Sequence, residues 1–121
     1  MDTIKNKIGE LKMKGIILQQ GIINKYGLEA AYVAAVLGQI LVAKKGNDNE
    51  MVDNKHWVFG EIEWLKETYL KELSLNKVKK IIKELESNNI LEVKRVNGVK
   101  GITINYKVFF KEAEEGMQLG N

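Results

Sequence analysis

Cysteine is absent from this chain of 121 residues, and histidine occurs once, at position 56. A chain without cysteine forms no disulfide and no thiolate metal site, and a single histidine cannot build a histidine-rich metal cluster. We therefore expect neither a metal nor another cofactor. A reducing cytoplasm is compatible with this composition.

Long apolar segments are also missing. The most apolar run, residues 30–43, is interrupted by Gly38 and Gln39 and is shorter than the roughly 20 residues that a membrane span needs. Residues 1–14 mix charges of both signs and contain no secretory signal. These observations predict a cytoplasmic protein without a membrane partner.

Catalytic patterns are missing as well. The chain shows no nucleophile paired with a base, no pair of acid–base carboxylates and no glycine loop that would bind phosphate, so we expect no enzymatic activity. The formal net charge of +3 is only a mild bias towards polyanionic partners. The position of the charges along the chain is more informative than their sum.

Residues 74–88 combine a helix signal with a concentrated positive charge. Ser74 is a good N-cap, and an asparagine pair at 88–89 is a plausible helix end. Apolar residues at i, i+3, i+4 and i+7 predict one buried stripe: Val78, Ile81, Ile82 and Leu85. The remaining surface of the helix carries Asn76, Lys77, Lys79, Lys80 and Lys83, with no acidic residue before Glu84.

The segments before this helix also have recognisable patterns. Residues 28–45 are apolar on nearly all sides, which predicts a central helix, whereas residues 16–23 fit either a strand or a helix. A strand-like triplet at 57–59 is followed by helical spacing over 61–69 and a short connection to Ser74. Two helices joined in this way form a helix-turn-helix pattern.

After residue 89 the apolar period changes from helical to alternating. Residues 90–96 and 102–110 are predicted strands, and Asn97-Gly98 is a strong two-residue hairpin turn. This turn would place Val93 opposite Ile102, and Leu91 opposite Ile104. Polar residues at or near the tip of the hairpin are Lys94, Arg95, Asn97 and Lys100.

The two ends of the chain are predicted to lie outside the main domain, residues 16–110. Residues 1–15 form an amphipathic helix whose apolar side consists of Ile4, Ile8 and Leu11. This side either docks on the domain or pairs with its copy in a homodimer. Residues 111–121 are expected to be a flexible acidic tail.

The predicted order of elements is that of an α+β winged helix-turn-helix domain, with three core helices, a short strand, a two-stranded wing and an extra N-terminal helix. In this arrangement the helix 74–88 enters the major groove of double-stranded DNA, and the wing 94–100 contacts the adjacent backbone. The lysines would neutralise phosphates, and Asn76 could hydrogen-bond an adenine edge.

The sequence also resembles the winged-helix domain at the front of many phage and plasmid replication-initiation proteins. The resemblance covers roughly residues 16–110 and is carried by the run at 25–31, Trp57-Val58, Trp64-Leu65, the stripe of helix 74–88, Ile90-Leu91 and Tyr106. It implies binding of origin DNA and a role in replication or transcription regulation. Winged helices of such origin also act as adaptors or as inhibitors of host complexes, which makes a host protein complex the alternative partner.

Overall fold

A computed structural model describes residues 18–44 and 51–119 of the chain. The described residues form an α+β structure with five helices and one antiparallel sheet of three strands. The helices are α1 (Gln20–Tyr26), α2 (Leu28–Ala43), α3 (Ile62–Tyr69), α4 (Leu75–Ser87) and α5 (Tyr106–Leu119), and the strands are β1 (Val58–Phe59), β2 (Leu91–Val96) and β3 (Val99–Ile104). None of these helices has the length and apolar character that a membrane crossing requires.

Helix α2 forms the centre of the core, as its apolar composition predicts. Tyr32, Val33 and Leu37 are completely buried, and the helix contacts α1, α4, β1 and β3. A helix surrounded in this way needs apolar side chains on nearly every side, because each side lies against another element.

Helices α3 and α4 confirm the predicted helix–connection–helix pattern. The hydroxyl of Ser74 accepts a hydrogen bond from the backbone N–H of Lys77 at 3.2 Å, which satisfies one of the free amides at the start of α4. The predicted apolar stripe of α4, from Val78 to Leu85, is buried. The chain leaves the helix through Asn89, which adopts a left-handed conformation with φ of 62°.

The hairpin formed by β2 and β3 has the predicted turn and register. Asn97 and Gly98 both have positive φ, 51° and 82°, as a two-residue turn of this kind requires. Val93 pairs with Ile102 and Leu91 pairs with Ile104. Strand β1 adds to the other edge of β3, so the strand order is β1-β3-β2.

Two predictions for residues 105–119 were wrong. The second strand of the hairpin does not continue to Phe110, and residues 111–119 belong to helix α5 and do not form a flexible tail. The strand ends because Ile104 pairs with Leu91, the first residue of β2. The N–H of Asn105 still donates to the carbonyl of Ile90 at 2.8 Å, and residues after Asn105 have no strand to pair with. A helix satisfies their backbone groups internally. Asn105 begins this helix, since its carbonyl accepts a hydrogen bond from the N–H of Phe109 at 2.8 Å.

Helix α5 packs closely on α1, which shows that residues 20–23 of the ambiguous segment are helical. The backbones approach at Gly21 and Gly116, where a Cβ atom on Gly116 would lie 1.9 Å from the carbonyl oxygen of Gly21. Polar contacts fix the same pair of helices. Lys25 forms an ion pair with Glu112, which also accepts a hydrogen bond from the hydroxyl of Tyr26 at 3.2 Å.

The order helix, strand, helix, helix and hairpin, from α2 to β3, is compatible with a winged helix. Helices α1 and α5 are added to this unit before and after it. The predicted N-terminal helix 1–15, with its residues Ile4, Ile8 and Leu11, lies outside the described residues.

Candidate nucleic-acid interface

The outermost line of side chains on α4 consists of Asn76, Lys80, Lys83 and Ser87, which we call the ridge. These residues follow one another at i, i+4, i+7 and i+11, which in a helix with about 3.6 residues per turn places them in one row. All four are exposed, whereas the stripe on the opposite side of the helix is buried. The packing of α4 therefore directs the ridge away from the core.

The other two lysines of the predicted basic face lie on the flanks of the ridge, and each has an acidic partner. The ammonium of Lys77 lies 3.0 Å from a carboxylate oxygen of Glu29, at the start of α2. The ammonium of Lys79 lies 3.4 Å from a carboxylate oxygen of Glu63, on α3. Exposed pairs of this kind contribute little to stability, because solvent screens them, but each cancels a positive charge beside the ridge.

The ridge itself has no such compensation. Within the described part of the chain, neither Lys80 nor Lys83 forms an ion pair, and the ridge contains no carboxylate. Asn76 lies in the first turn of α4, near the positive end of the helix dipole. The ridge thus offers two ammonium groups and one amide to a ligand that approaches α4 from solvent.

The basic residues of the hairpin are held by carboxylates from other elements. Both oxygens of Glu61 accept hydrogen bonds from the guanidinium of Arg95, at 2.9 and 3.0 Å, and one also accepts from the backbone N–H of Lys100 at 3.3 Å. Arg95 also donates to the carbonyl of Gly98 at 2.8 Å. Glu61 therefore holds both strands of the hairpin against the start of α3.

These contacts change the protonation equilibria of the pair in the expected directions. The hydrogen bonds from Arg95, and then that from the Lys100 backbone, hold the pKa of Glu61 below its ordinary value. The same partner raises the pKa of Arg95. Both groups therefore stay charged at neutral pH, and the positive charge of Arg95 is locally neutralised.

Lys94 is neutralised in a similar way. It forms an ion pair with Asp53 and lies 5.5 Å from the centre of the Trp57 ring. The hydrogen bond from Lys94 lowers the pKa of Asp53. Since this lysine is half-buried among these partners, it is a structural cation of the hairpin.

The predicted DNA-binding residues therefore fall into three groups. The ridge brings together Asn76, Lys80 and Lys83, and the hairpin tip presents the exposed Asn97 beside the partly exposed Lys100. The residues with carboxylate partners are Lys77, Lys79, Lys94 and Arg95.

The acidic residues that divide these groups could not be assigned from the sequence alone. The positions of Glu29, Asp53, Glu61 and Glu63 in the sequence do not show which basic residue each of them meets. The partners are separated in sequence: Lys77 and Glu29 are 48 positions apart, and Arg95 and Glu61 are 34 positions apart. Only the tertiary arrangement of α2, α3, α4 and the hairpin brings the partners together.

Two grooves lie near these elements. One, of about 450 Å³, runs beside α4 and is lined by Lys77, Lys80, Glu84 and residues 26–30. The other, of about 610 Å³, lies between the end of α2 and the start of α5, away from the ridge, and is mostly apolar. Among the described residues, no group of three or more His, Asp or Glu side chains is placed to hold a metal ion.

No protein-family model matches the chain, and comparison with curated proteins and with solved structures gives no match.

Proposed function

We propose that the protein is a winged helix-turn-helix protein that binds double-stranded DNA, with α4 as its recognition helix and the β2–β3 hairpin as its wing. The observation that carries this proposal is the ridge of α4. Its two lysines have no ion pair within the described residues, and it carries no carboxylate, whereas neighbouring cations on both flanks are paired. A phosphate can approach Lys80 and Lys83 without displacing an acidic partner.

The roles of the ridge residues follow from their chemistry. Lys80 and Lys83 contact phosphates and position the helix, which fits a major groove about 12 Å wide. Asn76 can bond both edge groups of an adenine, so it is the residue proposed to read sequence. One amide offers few base contacts, and DNA shape is therefore expected to contribute to selectivity.

The wing has a smaller proposed role in binding. The Glu61–Arg95 pair fixes its orientation relative to α3, and Lys100 and Asn97 are the residues proposed to contact the adjacent backbone. Lys94 and Arg95 then support the wing rather than the DNA. The resemblance to phage and plasmid replication-initiation proteins makes regulation of replication or transcription in the cytoplasm the proposed setting.

The test is fluorescence anisotropy with a random-sequence duplex, recorded from about 50 to 200 mM salt. The variant Lys80→Ala/Lys83→Ala should reduce the slope of log K against log salt by about 1.8, because each lost phosphate contact reduces it by about 0.9. The matched control is Lys77→Ala/Lys79→Ala, which removes the same charge from the same helix.

The Lys77→Ala/Lys79→Ala variant should have the wild-type salt slope. Its affinity for the duplex can decrease, because Glu29 and Glu63 lose their lysine partners and their negative charge is no longer compensated. A slope that decreases equally in both variants would show that the ridge has no special role. A wild-type protein that does not bind the duplex at low salt would contradict DNA binding altogether.

A second candidate function is that of a protein-binding adaptor or an inhibitor of a host nucleic-acid complex. It is favoured by Trp64 and Tyr69 on α3, which are 48% and 37% exposed and pack edge to face with centroids 5.8 Å apart. Exposed aromatic residues are enriched at protein interfaces. If duplex binding is absent, a pull-down that compares wild type with Trp64→Ala tests this alternative. The alternative predicts that wild type captures a protein partner that Trp64→Ala does not capture.

A further inference from the structure

Helix α5 exposes a row of large apolar side chains that the described residues do not cover. Tyr106, Phe110 and Met117 lie at i, i+4 and i+11 and are 44%, 54% and 50% exposed. Ala113, at i+7, lies deeper in the same row and is buried, because the helix meets α1 there. We call the three exposed residues the apolar strip. It extends about 16 Å along the helix.

The size of the strip is sufficient for the centre of a modest interface. The rings of Tyr106 and Phe110 stack with centroids 6.2 Å apart, and together they leave on the order of 200 Å² of aromatic surface in water. Val42, which is 63% exposed, lies across the apolar groove of about 610 Å³ that also contacts both rings. A standard interface buries about 800 Å² on each partner, so polar residues around the strip must contribute the remainder.

The charges beside the strip indicate which partner fits. One flank of α5 carries Lys107 and Lys111 in its first half and Glu114 in its second half, and all three are exposed. When two copies of a helix pack antiparallel about a twofold axis, the same flank of each copy meets in reversed direction. Lys107 of one copy then faces Glu114 of the other, and the twofold axis makes this attraction occur twice.

We propose that the apolar strip is an isologous, antiparallel interface with a second copy of this chain. Tyr106 packs near the partner subunit's Met117, and Lys107 lies beside the partner subunit's Glu114. The apolar groove at the start of α5 lies where the last turn of the partner helix ends. This surface differs from the predicted dimer contact at Ile4, Ile8 and Leu11, and it does not depend on the proposed DNA binding.

The proposal is tested by sedimentation equilibrium of the full chain from low to high micromolar concentration. Wild type should form dimers, and Phe110→Ser should shift them to monomers. Lys107→Glu or Glu114→Lys alone should weaken the dimer about tenfold, because each change turns two symmetric attractions into repulsions. The double variant Lys107→Glu/Glu114→Lys should restore the dimer, since opposite charges face each other again.

The matched control is Lys71→Glu, the same charge change at an exposed position in the connection before α4, which should leave the dimer constant unchanged. A wild-type chain that stays monomeric throughout would overturn the proposal. A dimer that survives Phe110→Ser would show that another surface forms it. Failure of the double variant to recover would overturn the antiparallel arrangement.

Discussion

Replacing Gly116 with alanine is expected to destabilise the protein, although the same change inside most helices stabilises them by up to about 1 kcal/mol. At Gly116 the new Cβ would lie 1.9 Å from the carbonyl oxygen of Gly21. Ordinary contacts between such atoms are about 3.5 Å, so α1 and α5 would have to move apart by about 1.5 Å. The carbonyl of Gly116 also accepts a hydrogen bond from the Asn24 amide at 3.0 Å, which this movement would lengthen.

Overpacking of this kind costs about 1–3 kcal/mol. For a chain of this length, that cost lowers the melting temperature by roughly 3–6 °C for each kcal/mol, measured by thermal unfolding followed by circular dichroism. The matched control is Gly38→Ala inside α2, where the new Cβ would lie 3.6 Å from the Cδ1 atom of Ile104, an ordinary contact. This control should raise the melting temperature slightly. A Gly116→Ala variant at least as stable as wild type would refute the close crossing of α1 and α5.

Two further predictions concern the contacts that stabilise the fold. The hydrogen bond from Lys25 lowers the pKa of Glu112, so its contribution to stability is present above the ordinary carboxyl pKa and is lost as pH falls through the lowered value. The variant Glu112→Gln should therefore have a lower urea midpoint than wild type at pH 7, and the difference should shrink in acid. The control Glu86→Gln should have the wild-type midpoint at both pH values. A difference for Glu112→Gln that persists unchanged in acid would contradict the linkage. Ser74→Ala should cost about 1 kcal/mol in urea unfolding, Ser74→Asn should retain most of the stability, and equal losses in both would argue against capping.

The sequence predicted those parts of the fold that depend on neighbouring residues. Helix α4 was predictable because its cap, its apolar spacing and its end are all within one segment. The register of β2 and β3 followed from the two-residue turn at Asn97-Gly98. In both cases the local signals agree with the tertiary structure, so the pattern was sufficient.

Helix α5 was missed because its first residues continue an alternating pattern. Tyr106, Val108 and Phe110 extend the period of β3, and the acidic composition that follows suggested a tail. The competing helical signal was present: Asn105 can cap a helix, and Phe109, Ala113 and Gly116 lie at i, i+4 and i+7. The helix forms because β2 begins at Leu91, so residues after Asn105 have no strand to pair with.

The sequence predicted which basic residues lie on the candidate site, but it did not predict which of them form ion pairs. The helix and hairpin that carry the basic residues were identified from their spacing. The spacing did not show which lysines form an ion pair with another described residue and which do not. That division depends on Glu29, Glu61 and Glu63, which distant elements bring beside α4 and the hairpin. Long-range ion pairs leave no periodic trace in the sequence.

The most direct test of the proposed function is to map the duplex on the protein by NMR. Backbone and side-chain signals of the ¹⁵N-labelled chain would be followed while a random-sequence duplex is added at low salt. The ridge account predicts the largest shifts at Asn76, Lys80 and Lys83, with smaller shifts at the hairpin tip and none along α5. Shifts centred on α5, or no shifts at all, would contradict it.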